Sequence, residues 1–222
     1  MAGPDRARPP QSLGAANPAF RSPLAVIVFL AVAAAGLTAD LLSKEYVFNS
    51  LLNDPYMVER VEWARKLPPH PKTTYDVFRL RYLKFQRHVV PGVDFTLSTN
   101  EGVVFGLPMP RPVVAVVTVL TVILVGYFFA TSERKARLVH VALAAILAGA
   151  LGNLYDRLFA RVAVDQLEPI RYHVRDFIDC NNLYWPWIFN VADILLVVGV
   201  ALLILHWAAA SGRAAKAKKA PA

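Results

Sequence analysis

The sequence predicts an all-α membrane bundle of four transmembrane helices with a small extracytoplasmic antiparallel sheet. Of the 222 residues, 56% are hydrophobic and 18% are charged, whereas an ordinary soluble domain has about 25% charged residues. The apolar residues are gathered into four long stretches, and the segments between them contain short runs of alternating apolar and polar residues. This composition excludes intrinsic disorder of the whole chain and, with a single cysteine, a disulfide-stapled scaffold.

The four apolar stretches are each predicted to be a membrane-spanning helix. They are Leu24–Leu42, Val113–Ala130, Leu138–Leu154 and Ile188–Trp207. At about 1.5 Å per helical residue, such lengths cross roughly 30 Å of hydrocarbon, and the third stretch is the shortest. Asp40 and Asp193 are the only Asp, Glu, Lys or Arg residues inside them. A cleavable secretory signal is the alternative for the first stretch, but its apolar run is longer than the roughly 7 to 15 residues of a signal core.

Basic residues in short segments predict the orientation, with both termini in the cytoplasm. Arg134, Lys135 and Arg137 lie between the second and third stretches, and more Lys and Arg residues follow the fourth. The predicted organisation is a cytoplasmic tail 1–23, a single membrane domain 24–207 with outer segments 43–112 and 155–187, and a disordered cytoplasmic tail 208–222. Because the basic residues flank the spans, the pI of 9.8 indicates contact with anionic lipid and not with nucleic acid.

The outer segments contain three alternating runs that predict the small sheet. Phe78–Tyr82 and Val93–Leu97 lie on either side of the turn signal Pro91-Gly92, and Ile170–Asp176 is the third run. Alternation with a period of two is typical of strands that have one buried face. The segment 53–74 has no clear period, so it is predicted to be irregular, with a short amphipathic helix as the alternative.

Two acidic residues are predicted to meet at the outer membrane surface. An acid at the centre of an apolar span costs about 2.5–3.5 kcal/mol, so Asp193, about five residues into the fourth stretch, needs a compensating role. Asp176 ends the third alternating run just before the chain returns to that stretch. Two close carboxylates do not both ionise easily, and such a pair can activate water against an amide. A structural hydrogen bond to a neighbouring helix is the alternative for Asp193.

The other polar residues near the spans have simpler interpretations. Lys44 follows Asp40 at the i+4 position, which predicts an ion pair at the outer end of the first span. Gly149, Asn153 and Arg157 share one face of the third span. The glycine indicates close helix packing, and the two polar residues indicate hydrogen bonding to an anionic centre.

No competing nucleophile or metal site has support in the sequence. There is no Gly-x-Ser-x-Gly, the single Cys180 has no adjacent base motif, and the five histidines form no His-x-x-x-His pair. The alternatives of another class are a proton-coupled transporter, in which Asp40 and Asp193 would form a relay, and a non-catalytic membrane scaffold. A transporter commonly has internal repeats and polar groups near the midplane, neither of which the sequence shows.

Five blocks of residues occur in an order that resembles a known family. They are Asp40-x-x-x-Lys44, Asn100-x-Gly102-x-x-Phe105, Gly149-x-x-Gly152-Asn153-x-x-Asp156-Arg157, Val174-x-Asp176-Phe177 and Phe189-Asn190-x-Ala192-Asp193. Together they resemble the signature of lipoprotein signal peptidase, or signal peptidase II, an aspartic membrane protease family. The resemblance implies a four-helix bundle with a small extracytoplasmic β-cradle.

The resemblance also implies the site and its partners. Asp176 and Asp193 would be the catalytic pair, and Asp156 would be structural. The residues implied to bind substrate or support the pair are Asp40, Lys44, Asn100, Gly102, Phe105, Asn153, Arg157 and Asn190. The substrate would be a prolipoprotein whose Cys carries diacylglycerol, cut just before that Cys at the outer face of the bacterial inner membrane. The family needs no metal or organic cofactor and is inhibited by the cyclic peptide globomycin.

Two departures from the family pattern stand out in this sequence. Val103-Val104 occupies positions where the family usually has two small Ala residues, which narrows the space beside Asn100. The outer segment 45–90 is longer than usual. Trp185, Trp187 and Phe189 lie at the start of the fourth stretch, and we interpret them as interfacial anchors and not as recognition residues.

Overall fold

The computed structural model describes residues 17–65, 86–100, 110–163 and 169–219. Within these residues, four helices are long and apolar enough to cross a membrane, as the sequence predicts. They are α1 (Pro23–Leu52), α3 (Arg111–Thr131), α4 (Arg137–Phe159) and α5 (Val191–Lys219), and a shorter helix α2 covers Pro55–Arg65. Helix α2 confirms the helical alternative for the first part of the segment 53–74.

Helix α1 is longer than the predicted span. It begins at Pro23, whose fixed backbone suits the first helical position, after Ser22, whose side chain accepts a hydrogen bond from the Ala25 amide. Its 30 residues extend about 45 Å, beyond the roughly 30 Å of a hydrocarbon core. The last turns carry Val47, Phe48 and Leu51 into an apolar cluster with residues of the sheet. The predicted end at Leu42 is therefore ten residues too early, because the sheet gives the continued helix a surface on which to pack.

Helix α4 is the central helix of the bundle, and it packs against α1, α3 and α5. Of its apolar window 56% is buried inside the protein, against at most 22% for the other three spans. Glycines permit this close contact. A Cβ atom at Gly149 would overlap the carbonyl oxygen of Ala192 on α5, and one at Gly152 would overlap the Asp40 carboxylate on α1. The predicted packing role of these glycines agrees with the structure.

A four-stranded antiparallel sheet covers one end of the bundle. Its strands are β1 (Gln86–Val90), β2 (Val93–Asn100), β5 (Val174–Asp179) and β6 (Ile188–Phe189), in the order β1-β2-β5-β6. Strands β3 (Arg161–Val162) and β4 (Ile170–Arg171) form a separate two-stranded ladder. Between β1 and β2 the chain turns at Pro91-Gly92, where Gly92 has a φ of 87°, a conformation that glycine adopts without steric cost. The predicted turn and the strand after it are confirmed.

Several predicted boundaries differ from the structure. The strand that pairs with β2 is Gln86–Val90, while the predicted strand Phe78–Tyr82 lies outside the described residues. The run Ile170–Asp176 is not one strand, because Tyr172 has a φ of 69° and the break assigns β4 and β5 to different ladders. Ile188 begins a strand and not the last helix. The prediction of disorder after residue 207 is wrong for 208–219, which continue α5.

We expect Gly152→Ala to destabilise the protein. The added methyl group would meet the buried carboxylate of Asp40, and overpacking of this kind costs about 1–3 kcal/mol. Gly126→Ala on α3 is the matched control, because nothing beyond its chain neighbours and the adjacent backbone of its own helix lies within 4 Å of its Cβ position. Thermal unfolding of the purified proteins in detergent measures both. Equal melting temperatures for the two variants would show that α1 and α4 can separate without cost.

Candidate active site

The first candidate acid, Asp176, is carried by a central strand of the sheet. Strand β5 pairs with β2 on one side and β6 on the other, with Asp176 opposite Ser98 and Val174 opposite Asn100. The Asp176 residue is only 3% exposed. Its Oδ1 atom accepts a 2.6 Å hydrogen bond from Nδ2 of Asn190, and the side chain of Asn100 donates to it as well. The sheet therefore holds this carboxyl group facing the start of α5.

The second candidate acid, Asp193, lies in the first turn of α5. The Asp193 amide donates to Oδ1 of Asn190 at 3.1 Å, and the Asn190 amide donates to Oδ2 of Asp193 at 3.2 Å. This reciprocal pair is a capping box built from Asn and Asp. The prediction that Asp193 lies about five residues into the span is wrong. It is the third residue of a helix that begins at Val191, so its carboxylate lies at the positive end of the helix dipole.

Asn190 joins the two acids. Its side-chain amide group donates to Asp176, while its carbonyl oxygen accepts from the Asp193 backbone. Asn153 on α4 completes the arrangement, since its Nδ2 donates to Oδ1 of Asp193 at 2.9 Å and its Oδ1 accepts from Nδ2 of Asn190 at 3.2 Å. The side-chain amides of Asn153 and Asn190 thus both donate and accept within the site. The carboxyl groups of Asp176 and Asp193 both bond to Asn190.

The environment of Asp176 favours its protonated form. Burial raises its pKa from the usual 3.8 to about 7, and repulsion by the Asp193 carboxylate contributes in the same direction. Hydrogen bonds from Asn190 and Asn100 and the charge of Lys44 oppose this rise in pKa. A buried acid beside a second acid commonly keeps a proton near neutral pH.

Asp40 and Lys44 form the predicted ion pair, and the structure shows that it is buried. Lys44 Nζ lies 2.7 Å from Oδ2 of Asp40 and 3.2 Å from Oδ2 of Asp156, and both Asp40 and Lys44 have fully buried side chains. Lys44 Nζ also donates to Oδ1 of Asn153 at 3.1 Å. The other oxygen of Asp40 accepts the Ala192 amide at 2.8 Å. The pair thus links α1 to α4 and to the first turn of α5, beside Asp193.

Asp156 pairs with Arg175, although Arg157 is the arginine that follows it in the sequence. Its carboxylate accepts the backbone amide of Arg175 at 2.9 Å and the Nε and Nη2 atoms of the same residue at 3.1 and 2.8 Å. The remaining arm of the Arg175 guanidinium donates to Glu45 on α1 at 2.9 Å. Arg175 and Glu45 were not among the residues predicted for the site. The only sequence signal for Arg175 is its position between the buried Val174 and Asp176.

The remaining predicted residues have mixed outcomes. Arg157 donates to the backbone carbonyl of Asn153 at 3.1 Å, and its guanidinium lies within electrostatic range of the carboxylates of Asp176, Asp193 and Asp156. Asn100 is the last residue of β2 and contacts Asp176. Gly102 and Phe105, with Val103-Val104, lie outside the described residues.

The arrangement has the parts of a two-carboxylate hydrolytic site. One acid is buried and holds a proton near pH 7, and the other is an acceptor at a helix N-terminus. Within residues 17–65, 86–100, 110–163 and 169–219, no three His, Cys, Asp or Glu side chains are grouped as metal ligands. The carboxyl pair can carry out acid–base chemistry, because one member holds a proton and the other accepts one.

Comparison with known proteins gives the family. A family model described as Signal peptidase (SPase) II matches residues 32–209, which include all five sequence blocks. The chain is 37% identical over 113 residues to a lipoprotein signal peptidase of Clostridium novyi, covering 50% of this chain and 70% of that protein. It is also 37% identical over 127 residues to one of Aquifex aeolicus, covering 54% and 68%.

A solved structure shares the fold. It is a bacterial membrane enzyme that aligns with a TM-score of 0.57 and 22% identity, over 89% of this chain and 94% of its own. The family match, its bacterial relatives and the four apolar helices of the described residues identify a bacterial membrane protein. On the extent of the family match and the identity to its members, the chain belongs to the signal peptidase II family of aspartic peptidases.

Proposed function

We propose that this protein removes the signal peptide from diacylglyceryl-modified prolipoproteins, cutting just before the lipidated Cys, with Asp176 and Asp193 as the catalytic pair. The observation that carries the proposal is the position of Asn190, whose side chain bonds Asp176 and caps the helix turn that holds Asp193. Family membership supports the reaction, and this geometry supports the assignment of the two acids.

The two carboxyl groups divide the chemistry by their surroundings. Asp193, at the positive end of a helix and accepting from Asn153 and Asn190, is the base that takes a proton from water. The hydroxyl oxygen then bonds to the scissile carbonyl carbon while Asp176 gives its proton to the carbonyl oxygen. When the tetrahedral intermediate collapses, the C–N bond breaks as Asp193 gives the proton it took from water to the leaving amine. Asp176 takes a proton back from a hydroxyl group of the intermediate, which becomes the new carboxyl group, so both acids return to their starting states.

The basic segment of the chain supports an active site at the outer face of the inner membrane. Helix α4 begins at Arg137, just after Arg134 and Lys135, and carries Asp156 near its other end. The site is thus about one helix length from the basic connection, which is the segment expected in the cytoplasm. Both termini then lie in the cytoplasm, and the sheet forms an extracytoplasmic cradle on a single membrane domain, 24–207.

An apolar cavity beside the site supports a lipid-bearing substrate. It has a volume of about 470 Å³ and lies between α3 and α4. Its lining residues are Pro112, Val114, Ala115, Leu154, Arg157, Leu158 and Tyr172. A diacylglyceryl Cys keeps its acyl chains in the bilayer, which holds the bond to be cut near the membrane surface. Arg157 lines this cavity and lies near both acids, so the lipid and the peptide can be bound at adjacent places.

The proton-coupled transporter is not favoured. Its relay would use Asp40 and Asp193, but the carboxylate of Asp40 is bonded to Lys44 and to the Ala192 amide. Asp193 lies in the first turn of its helix, at the end of the span. Transport sites typically lie near the midplane of the bilayer.

Incubation of the purified protein with a synthetic diacylglyceryl-modified precursor tests the proposal. We expect cleavage just before the lipidated Cys, detected by mass spectrometry, and inhibition by globomycin. The same precursor without the lipid is the control substrate. Equal cleavage of both precursors, or cleavage at another bond, would contradict the proposed substrate.

The rate of cleavage should fall as the pH rises above about 7. The pKa of Asp176 is raised to about 7, so its proton, which the mechanism needs, is present below that pH and lost above it. We expect kcat to decline by up to about tenfold per pH unit on the alkaline side, measured with the lipidated precursor in a constant detergent. A kcat that increases up to about pH 9 would exclude Asp176 as the proton donor.

The same raised pKa predicts a change in stability. Between about pH 4 and 7, folded Asp176 holds a proton that the unfolded chain releases, so the free energy of unfolding should decrease with pH over this window and level off above it. In Asp176→Asn this contribution is absent, which provides the control.

A further inference from the structure

We propose that Arg175 is a positioning residue that holds the strand of Asp176 in register with the helix end that carries Asp193. The inference rests on the proposed function of the two acids. Arg175 occupies the position that the sequence block Val174-x-Asp176-Phe177 leaves unspecified. The proposed role is therefore a property of this chain and not of the block.

The contacts of Arg175 fix both its backbone and its side chain. Asp156 accepts the Arg175 amide at 2.9 Å and two guanidinium nitrogens at 2.8 and 3.1 Å. A strand residue that donates its amide to a helix side chain ties the strand to that helix, and here the tie is one residue before Asp176. The side chain of Arg175 is 7% exposed and that of Asp156 is fully buried, so water competes little for these bonds.

The network around Arg175 reaches the elements that build the site. Its third guanidinium nitrogen donates to Glu45 on α1 at 2.9 Å, and the guanidinium carbon lies 6.0 Å from the ring centre of Phe48. Asp156 also contacts Lys44 at 3.2 Å, and Lys44 bonds Asn153, which donates to Asp193. Arg175 therefore joins β5 to α1 and to α4, the helix whose Asn153 donates to the second acid.

The geometry explains why Arg175 would act on turnover and not on substrate binding. Successive side chains of a strand point to opposite faces, so the guanidinium lies on the face away from the Asp176 carboxyl group. Its effect passes through the backbone of β5. Loss of the two guanidinium bonds would leave the Asp156 carboxylate held less firmly against the Arg175 amide. Asp176 could then shift from its 2.6 Å contact with Asn190, and displacements of about 1 Å at a catalytic group cost on the order of 100-fold in rate.

The test compares Arg175→Met, Arg175→Lys and the double variant Asp156→Asn/Arg175→Met with the wild type, using the lipidated precursor. Arg171→Met, at an exposed arginine on β4, is the matched control. For Arg175→Met we expect kcat to fall on the order of 10- to 100-fold with KM within about twofold. Arg175→Lys keeps the charge and one donor group, so it should recover part of kcat. The double variant should have a kcat close to that of Arg175→Met, because both changes weaken the same contact.

Each outcome decides between the alternatives. A kcat equal to that of the wild type in Arg175→Met, or a rise in KM alone, would overturn the proposal. If Arg175→Met does not fold, Arg175→Lys decides, since a folded variant with lowered kcat supports positioning and one with unchanged kcat opposes it. Asp176→Asn and Asp193→Asn are assayed alongside. If these retain cleavage, the proposed function fails; if only Arg175→Met is normal, this inference alone fails.

Discussion

Replacing either acid of the pair by its amide, as Asp176→Asn or Asp193→Asn, should abolish cleavage of a lipidated precursor while the protein still folds. Asparagine has the size of aspartate but neither takes a proton from water nor gives one to a carbonyl oxygen. Loss of a general acid or base typically costs about 10²- to 10⁴-fold in rate. We expect a fall of about 1000-fold in kcat for each variant, measured with purified protein in detergent.

The two variants should differ in stability, which gives a second measurement. In Asp176→Asn the group that is costly to ionise in a buried site is replaced by a neutral one, so the melting temperature at pH above 7 should be maintained or raised. In Asp193→Asn one acceptor of the capping box is weakened, since Oδ2 accepts the Asn190 amide. A change of this kind at a helix N-terminus costs roughly 0.5–2 kcal/mol.

The matched control is Asp54→Asn, in the exposed connection between α1 and α2. Asp54 pairs with Arg87 at 3.0 Å, and both side chains are partly exposed, so the pair is expected to contribute little to stability. Normal kcat in this variant and loss of kcat in the other two would tie the effect to the pair. Cleavage at the wild-type rate by either Asp176→Asn or Asp193→Asn would refute the assignment of the site.

The membrane helices could be predicted from the sequence because the hydrocarbon core offers no hydrogen-bond partners to backbone or charged groups. Each spanning helix satisfies its own backbone groups, so its core is visible as a charge-poor stretch without any knowledge of its neighbours. The helix ends were less well predicted. Leu42 and Ile188 bound the apolar windows, but α1 continues over the sheet and α5 starts at Val191, because packing and capping set helix ends.

The capping box of α5 shows a signal that was present in the sequence but interpreted only in part. Asn190 and Asp193 are three residues apart, the spacing of an N-cap residue and its partner. The window that began at Ile188 placed both inside the span, whereas the structure places Asn190 just before the helix and uses it to hold Asp176.

The role of Arg175 could not be predicted from local pattern. Alternation placed it on the face opposite Asp176, which for an antiparallel strand usually means solvent. Its partners lie 19 and 130 positions away, at Asp156 and Glu45. Such pairs arise only when the sheet folds back onto α1 and α4, and neither the charge of Asp156 nor its neighbour Arg157 indicates this partner.

Lys44→Met should strongly destabilise the protein, because it removes a buried cation that contacts two buried carboxylates. The ammonium group of Lys44 is fully buried between Asp40 at 2.7 Å and Asp156 at 3.2 Å. Methionine fills a similar volume but leaves the buried Asp40 carboxylate without its cation, whereas Asp156 keeps its pairing with Arg175. Removing one partner of a buried ion pair costs about 3–5 kcal/mol, because the remaining charge is uncompensated. We expect a large drop in melting temperature in detergent.

The electrostatic part of the lost stability can be separated from lost packing by also replacing Asp40 with a neutral residue. In Asp40→Asn/Lys44→Met one of the two carboxylates is replaced by an amide oxygen that still accepts the Ala192 amide, so part of the lost stability should return. Lys135→Met, at an exposed lysine between α3 and α4, is the control and should melt like the wild type. A double variant less stable than Lys44→Met alone would show that the methionine disrupts packing and that the buried charges contribute little. The expected order of stability follows from electrostatics. Lys44→Met leaves the buried Asp40 carboxylate without its cation, whereas the double variant replaces that carboxylate by a neutral amide.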